Sequence, residues 1–312
     1  MENLWPKKFI DVDGVRTAYI ECGDGHSPAL LLPSGLFSRR GVCSDAQIWE
    51  HNISSLAQNR RVIALDTLGQ GSTSMPTSAV YTFDSVFSHC SRFLEIIGTT
   101  KMHLVGHDEG GLLALLLAIE YPERVASCTI VSSPTLAPSG DGVPSDPIRA
   151  PIQPLYSRSS QAWVLAQQSF TSHHVYTGHF LDAATNCAQT DAFEANLRNL
   201  KDPDIALNLT RSVMAAKARA LAHARDQGVS APILLIWGTE DPMSSASYVR
   251  QWGTGTDSNS SIGYARALFD LFRIKQAQTR LSLMTRVGYM PFREKPEEFN
   301  VITAGFQTAA AA

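Results

Sequence analysis

The stretch Lys101 to Tyr121, KMHLVGHDEGGLLALLLAIEY, constrains this chain more than any other. Met102 to Val105 is a short apolar run closed by glycine, and an apolar helix-like block begins at Gly111. Between them, Gly106-His107-Asp108-Glu109-Gly110-Gly111 has the form G-x-D-x-G. Set between a strand and a helix, that string describes a sharp, strained turn whose glycines let the next helix pack close. The turn holds the Asp108 side chain above a sheet edge, at a helix N-terminus where backbone N–H groups favour negative charge.

Strand and helix signals alternate around this turn. Phe9–Asp13 and Val15–Glu21 read as two strands joined at Asp13-Gly14, a strong hairpin signal. Ala29–Leu32 is an apolar strand, Asp45–Gln58 has helical spacing, and Arg61–Leu65 is a buried-type strand running into the polar glycine loop Asp66–Ser72. Thr82 caps a helix through Ile97, and a strand covers Val125–Val131. From Thr135 to about Ser230 the alternation stops, proline and glycine crowd Pro138–Pro154, and the remainder reads mainly as helix. Alternation resumes with the strand Pro232–Trp237, a helix Tyr264–Lys275, a strand Arg280–Arg286 and a helix from Pro296; the alanines from Ala309, a frayed end or an added tail, are left out of that helix. The expected fold is α/β, a mostly parallel sheet with helices on both faces. Its core covers residues 1–134 and 230–312, and residues 135–229 form an inserted helical lid.

Composition excludes several classes. An apolar fraction of 44% and a charged fraction of 18% over 312 residues describe an ordinary globular chain. A formal net charge of −3 makes no case for nucleic acid or an anionic membrane as partner. The apolar run Leu112–Ile119 is far short of the ~20 residues a spanning helix needs. The five cysteines (22, 43, 90, 128, 187) show no C-x-x-C spacing, and MENLWPKKFIDVDG lacks the apolar core of a signal peptide, so a cytoplasmic setting is expected. No G-x-G-x-x-G follows a strand and no P-loop occurs, so no cofactor is expected. The expected partner is a small-molecule substrate, in an apolar pocket between core and lid.

With these pieces in order, the chain resembles the α/β-hydrolase superfamily across nearly its full length. GHDEGG is most similar to the aspartate-nucleophile branch, the epoxide hydrolases and haloalkane dehalogenases. Leu65–Ser72, Tyr121–Val125, Gly238–Pro242 and Glu294–Phe299 carry the same resemblance. It implies Asp108 as nucleophile, Asp241 as the triad acid, and a histidine base within Arg286–Pro291. Tyr289 occupies the base position, and no histidine follows His223. In the family, aspartate attack gives an alkyl ester that histidine-activated water cleaves; a tyrosine of ordinary pKa near ~10 is a poor base for that step. The halide-binding tryptophan and asparagine of the dehalogenases are Glu109 and Leu36 here, an acceptor and an apolar group, which disfavours dehalogenation. The HGxP loop of epoxide hydrolases is reduced to Ser34-Gly35-Leu36-Phe37, although the backbone N–H groups of Leu36 and Glu109 could still form an oxyanion-type site.

Glu109 places a second carboxyl beside Asp108, and if both face the pocket one pKa rises. Asp241 is expected to orient the site with Tyr289 as its hydrogen-bond partner. His107 reads as a buried structural histidine, and its spacing from His103 across a strand end does not make a metal pair. His173, His174 and His179 lack the companions of a metal site, so no metal is expected; one of them is a candidate surrogate base. Ser34, Phe37, Glu109, Tyr156, Trp163 and Tyr176 are the expected substrate-lining residues. The expected function is non-hydrolytic acid–base chemistry (isomerisation, cyclisation or elimination) on a small apolar metabolite of a biosynthetic pathway. The alternatives are an epoxide or ester hydrolase with a base borrowed from the lid, and a binding protein on a catalytically degenerate scaffold.

Overall fold

The structure, a computed structural model, describes residues 5–25, 27–34, 45–76, 81–136, 203–239, 241 and 263–311. Strands β1 (Lys8–Val12), β2 (Val15–Cys22), β3 (Ala29–Leu32), β4 (Val62–Leu65), β5 (Met102–His107), β6 (Val125–Val131), β7 (Ile233–Gly238) and β8 (Arg280–Met284) form one eight-stranded sheet in the order β1-β2-β4-β3-β5-β6-β7-β8. The β1–β2 hairpin and the β2–β4 pair are antiparallel, and every pair from β4 to β8 is parallel. Strands β3 to β7 are wholly buried, and their side chains alternate between two cores. Leu30 and Leu32 of β3 join one core, Ala29 and Leu31 the other.

Helices cover both faces. On one side lie α2 (Phe83–Ile96), α3 (Glu109–Glu120), α4 (Pro203–Asp226) and α5 (Gly263–Arg273). On the other lie α1 (Glu50–Leu56), α6 (Pro291–Glu294) and α7 (Pro296–Ala311). A capping box between Thr82 and Ser85 starts α2, as the sequence predicts. Every residue of α3 from Glu109 to Ala118 is buried, because this helix is enclosed between the sheet and its neighbours.

Three boundaries differ from expectation. The helix expected over Asp45–Gln58 is a 3₁₀ turn, Ala46–Trp49, capped by the Asp45 carboxylate, followed by α1. The last strand ends at Met284, because Arg286 turns to a positive φ of 56°. The terminal alanines, left out of the expected helix, continue α7 to Ala311. Within the stretch expected to form the lid, α4 packs against α2, α3 and α5, while residues 137–202 lie outside the described residues.

The glycine loop after β4 is held from below. Asp66, fully buried, accepts hydrogen bonds from Ala46 N–H (2.8 Å), Ser72 N–H (2.7 Å) and Lys7 Nζ (2.7 Å), and Lys7 also pairs with Asp45. Burial pushes the Asp66 carboxyl up, and the Lys7 ammonium pulls it back. The buried charges therefore stand as a hydrogen-bonded group rather than alone.

Candidate active site

The sheet order reverses between β3 and β5: the chain builds outward through β4 on one side, then returns past β3 to lay down β5. A crevice outside the carboxyl ends of the strands at such a reversal is where open α/β sheets bind ligands. Asp108 follows the last residue of β5 there and caps α3. Its backbone lies at φ 49° and ψ −112°, a conformation costly for a residue with a Cβ. Gly106 makes the turn possible: a Cβ on it would lie 2.0 Å from the Gly110 carbonyl oxygen.

The Asp108 carboxyl is buried, and each of its oxygens accepts a hydrogen bond. Oδ1 accepts from the Thr135 backbone N–H at 3.1 Å, and Oδ2 accepts from the Tyr289 hydroxyl. The Ser133 hydroxyl donates to the Asp108 carbonyl at 2.8 Å, which ties the turn to the end of β6. Burial raises the Asp108 pKa above the usual carboxylate range, while the Tyr289 and Thr135 hydrogen bonds and the Lys217 ammonium pull it down. Tyr289 is raised well above the ordinary phenol, first by burial and then by the negative charges of Asp108, Glu109 and Asp241. The phenol therefore keeps its proton and donates it in the hydrogen bond to Asp108.

Tyr289 is positioned by the loop after β8. The Glu294 carboxylate accepts from the N–H groups of Gly288 (2.6 Å) and Met290 (3.0 Å), one on each side of the tyrosine. The Arg286 N–H donates to Thr239 Oγ1 at 3.2 Å, joining this loop to the one after β7 that carries Asp241. The two loops touch because residue 238 is glycine: a Cβ there would lie 2.1 Å from the Gly288 carbonyl oxygen.

His107 supports the same arrangement from behind. Its Nε2 lies 3.0 Å from the Tyr289 carbonyl oxygen, which can only accept, so Nε2 carries the proton and Nδ1 accepts from Ser34 Oγ at 3.0 Å. Burial pushes this imidazole down to about 3, so it is neutral. It is a structural bridge between the loops after β3 and β8, and its ring packs on Tyr289 and Phe292.

The structure thus brings Asp108, Tyr289 and the charges of Glu109 and Asp241 into one cluster. One expected pairing is replaced: the Tyr289 hydroxyl spends its single proton on Asp108 Oδ2 rather than on Asp241. Ser34, expected to face substrate, has its hydroxyl on His107. Glu109 is buried in the first turn of α3, where N–H groups lack intrahelical acceptors. Leu36, Phe37, Tyr156, Trp163, Tyr176, the three lid histidines and the apolar pocket expected beneath them lie outside the described residues. Among the described residues, no group of three or more His, Cys, Asp or Glu side chains could hold a metal ion, and no helix is long and apolar enough to cross a membrane.

Two residues escape the sequence reading. Thr135 contributes through its backbone, which no side-chain motif announces. Lys217, on α4, is partly buried and acts electrostatically on Asp108. A signal for it exists: it interrupts the apolar spacing Val213-x₃-Lys217-x₃-Leu221.

Comparison with known proteins matches residues 28–256 to the family described as alpha/beta hydrolase fold. The chain belongs to the α/β-hydrolase fold family. Over 125 residues the chain is 35% identical to the dihydrolipoyllysine-residue acetyltransferase component of the acetoin cleaving system of Cupriavidus necator, covering 40% of this chain and 31% of that protein. Over 122 residues it is 30% identical to epoxide hydrolase 4 of Mus musculus, covering 39% of this chain and 32% of the relative. The matched stretch spans less than half the length of these curated relatives. Among solved structures, the chain aligns with the meta-cleavage product hydrolase of Pseudomonas fluorescens IP01 over 98% of this chain and 99% of that one, with a TM-score of 0.69 at 22% identity. A likeness at that identity speaks for the fold.

Proposed function

We propose that this α/β-hydrolase-fold protein is an enzyme whose Asp108 works as an acid–base group, with Tyr289 as its hydrogen-bond partner. It isomerises, cyclises or eliminates on a small, largely apolar metabolite. The observation that carries this reading is the Tyr289 hydroxyl donating to Asp108 Oδ2, in the position where the family resemblance calls for a water-activating histidine. A phenol whose pKa is raised by burial and neighbouring carboxylates cannot take a proton from water at neutral pH. Asp108, raised by burial, is by contrast moved toward the range where a carboxyl both accepts and returns protons. Glu109 and Asp241 hold the phenol protonated through their negative charge.

A hydrolytic reading has its own support. The strained turn at Asp108 and the helix N-terminus behind it are the apparatus of nucleophilic attack, and epoxide hydrolase 4 of Mus musculus is among the relatives. In that reading a base from the 135–229 stretch, one of His173, His174 or His179, replaces the missing imidazole.

The full chain is offered styrene oxide and p-nitrophenyl acetate, and adducts are followed by intact mass and peptide mapping. The expected result is no multiple turnover, with any covalent adduct on Asp108. Tyr289→His should gain hydrolysis, within the ~10²–10⁴-fold that a positioned acid–base group contributes, and Asp108→Asn should abolish that gain. Steady turnover of styrene oxide by the unaltered protein would replace this reading with the hydrolytic one. A binding protein would instead keep its ligand affinity in Asp108→Asn.

A further inference from the structure

One residue of α4 is unexplained by its packing. The buried stripe of this helix runs through Leu209, Val213, Ala216, Ala220, Leu221 and Ala224, spaced three and four apart. It faces α2 and α3. Lys217 stands inside the stripe, one turn after Val213 and one turn before Leu221, with Ala216 and Ala220 on its other side. The neighbouring polar residues of the helix have clear structural tasks. Ser212 Oγ accepts from the Phe83 N–H at 2.7 Å, and Arg219 reaches Asp84 at 2.7 Å. On α5, which also packs on α4, Asp270 is engaged by Arg273.

A lysine on a buried apolar face costs free energy that an alanine would not. Two contacts of α4 place this face of the helix beside Asp108. The helix packs against α3, which Asp108 caps, and against the 3₁₀ turn Pro134–Leu136, whose Thr135 N–H holds Asp108 Oδ1. Asp108 is the charged group that acts on Lys217, and it does so across space, without a hydrogen bond between the two. Burial pushes the Lys217 amine down to about 8, and Asp108 pulls it up. An amine in that range gives and takes protons near neutral pH, as an ordinary lysine near ~10.4 does not.

We propose that Lys217 is a catalytic residue: its ammonium donates a proton to a substrate oxygen while the Asp108 carboxylate removes one from carbon, so the substrate is a carbonyl compound with a C–H beside the carbonyl. The proposal rests on the acid–base reading of Asp108 and deepens it by naming the substrate class. The C–H bond breaks, its proton goes to Asp108, and its electron pair forms the carbon–carbon double bond of an enol. The carbonyl π pair moves to oxygen and takes the Lys217 proton, which leaves a neutral amine. Where the substrate also carries a β,γ carbon–carbon double bond, the enol is a dienol. Return of the first proton to its γ-carbon, with the O–H proton passing back to Lys217, moves the double bond into conjugation, which isomerises the substrate and consumes no co-reactant. Tyr289 keeps Asp108 Oδ2 in place, and burial of both groups disfavours their separated charges, which strengthens the drive to transfer protons.

The test uses the full chain and phenylacetone, an apolar ketone, in D₂O, with α-hydrogen exchange followed by proton NMR. The expected result is exchange faster than the buffer rate, reduced at least tenfold in both Asp108→Asn and Lys217→Met. In parallel, ¹³C-formaldehyde methylation should give, besides the α-amino signal, a lysine dimethylamine signal that titrates near 8, is absent in Lys217→Arg and moves to lower pKa in Asp108→Asn. Exchange that needs Asp108 but survives Lys217→Met overturns the Lys217 role and leaves the acid–base reading standing. Exchange no faster than buffer overturns the proposed substrate class, and exchange indifferent to Asp108 overturns both. A Lys217 signal titrating above ~10 overturns the proton-donor role without any substrate.

Discussion

Asp108 bears two costs at once. Its carboxyl is buried, which raises its pKa, and its backbone occupies a conformation worth of order 1–3 kcal/mol of strain. Replacing the carboxyl relieves the first cost and leaves the second. Asp108→Asn should therefore stabilise the protein at pH 8 by about 1 kcal/mol, read as a higher midpoint in urea. The pH sign follows from the raised pKa. The folded state holds the Asp108 proton more tightly than the unfolded chain, so the penalty is fully present above the folded pKa and fades as pH falls toward the ordinary value of 3.8. The advantage of Asn should shrink in the same direction. An Asn variant less stable than the parent at pH 8 would mean that the hydrogen bonds from Tyr289 and Thr135 outweigh the desolvation.

At the scale of elements, the active cluster depends on the short connection between β8 and α6. Glu294 opens a helix-start pattern in the sequence, yet its carboxylate closes back on the loop before it and fixes Tyr289 from both sides. Glu294→Ala leaves two N–H groups without their acceptor, a loss of about 1–3 kcal/mol, and should reduce native activity beyond the change in stability. A Glu294→Ala variant with full activity would show that Tyr289 is held by its ring packing on His107 alone. Gly238→Ala attacks the same contact from the β7 side. Its methyl meets the backbone of Val287 and Gly288, which cannot rotate away, so the two loops must part. Destabilisation of about 1–3 kcal/mol is expected by thermal denaturation.

For the whole molecule, acid stability is shaped by histidines that the fold keeps neutral. Burial pushes His89 and His103 down to about 4 and His107 to about 3. Each folded pKa lies below the unfolded value of 6.5, so the unfolded chain binds more protons and stability is lost as pH falls from 6.5 toward the folded values. Each group contributes a slope of up to about 1.4 kcal/mol per pH unit in that window. Asp66 and Asp108, both raised, act in the opposite sense at lower pH. The clean measurement is therefore a difference: between pH 6.5 and 4.5, His103→Gln should lose less stability than the parent chain. Equal losses in the two proteins would mean that His103 ionises without opening the core.

The sequence by itself determined the parallel sheet, the turn that carries Asp108, and the absence of a histidine after His223. Each of these is local: a period of apolar residues, a glycine spacing, a residue type at a motif position. Capping at Thr82 was readable for the same reason, since donor and acceptor lie within one turn. Only the tertiary structure decided which carboxylate the Tyr289 hydroxyl donates to, because that bond joins residues 181 apart and is set by the Glu294 clamp and the Gly238 approach. It also decided that Ser34 serves His107 rather than the pocket. Lys217 shows the division most plainly. Its break in the apolar stripe is visible in the sequence, but a helix stripe names no neighbour. Asp108 became that neighbour only when α4 packed against α3 and the turn that holds it.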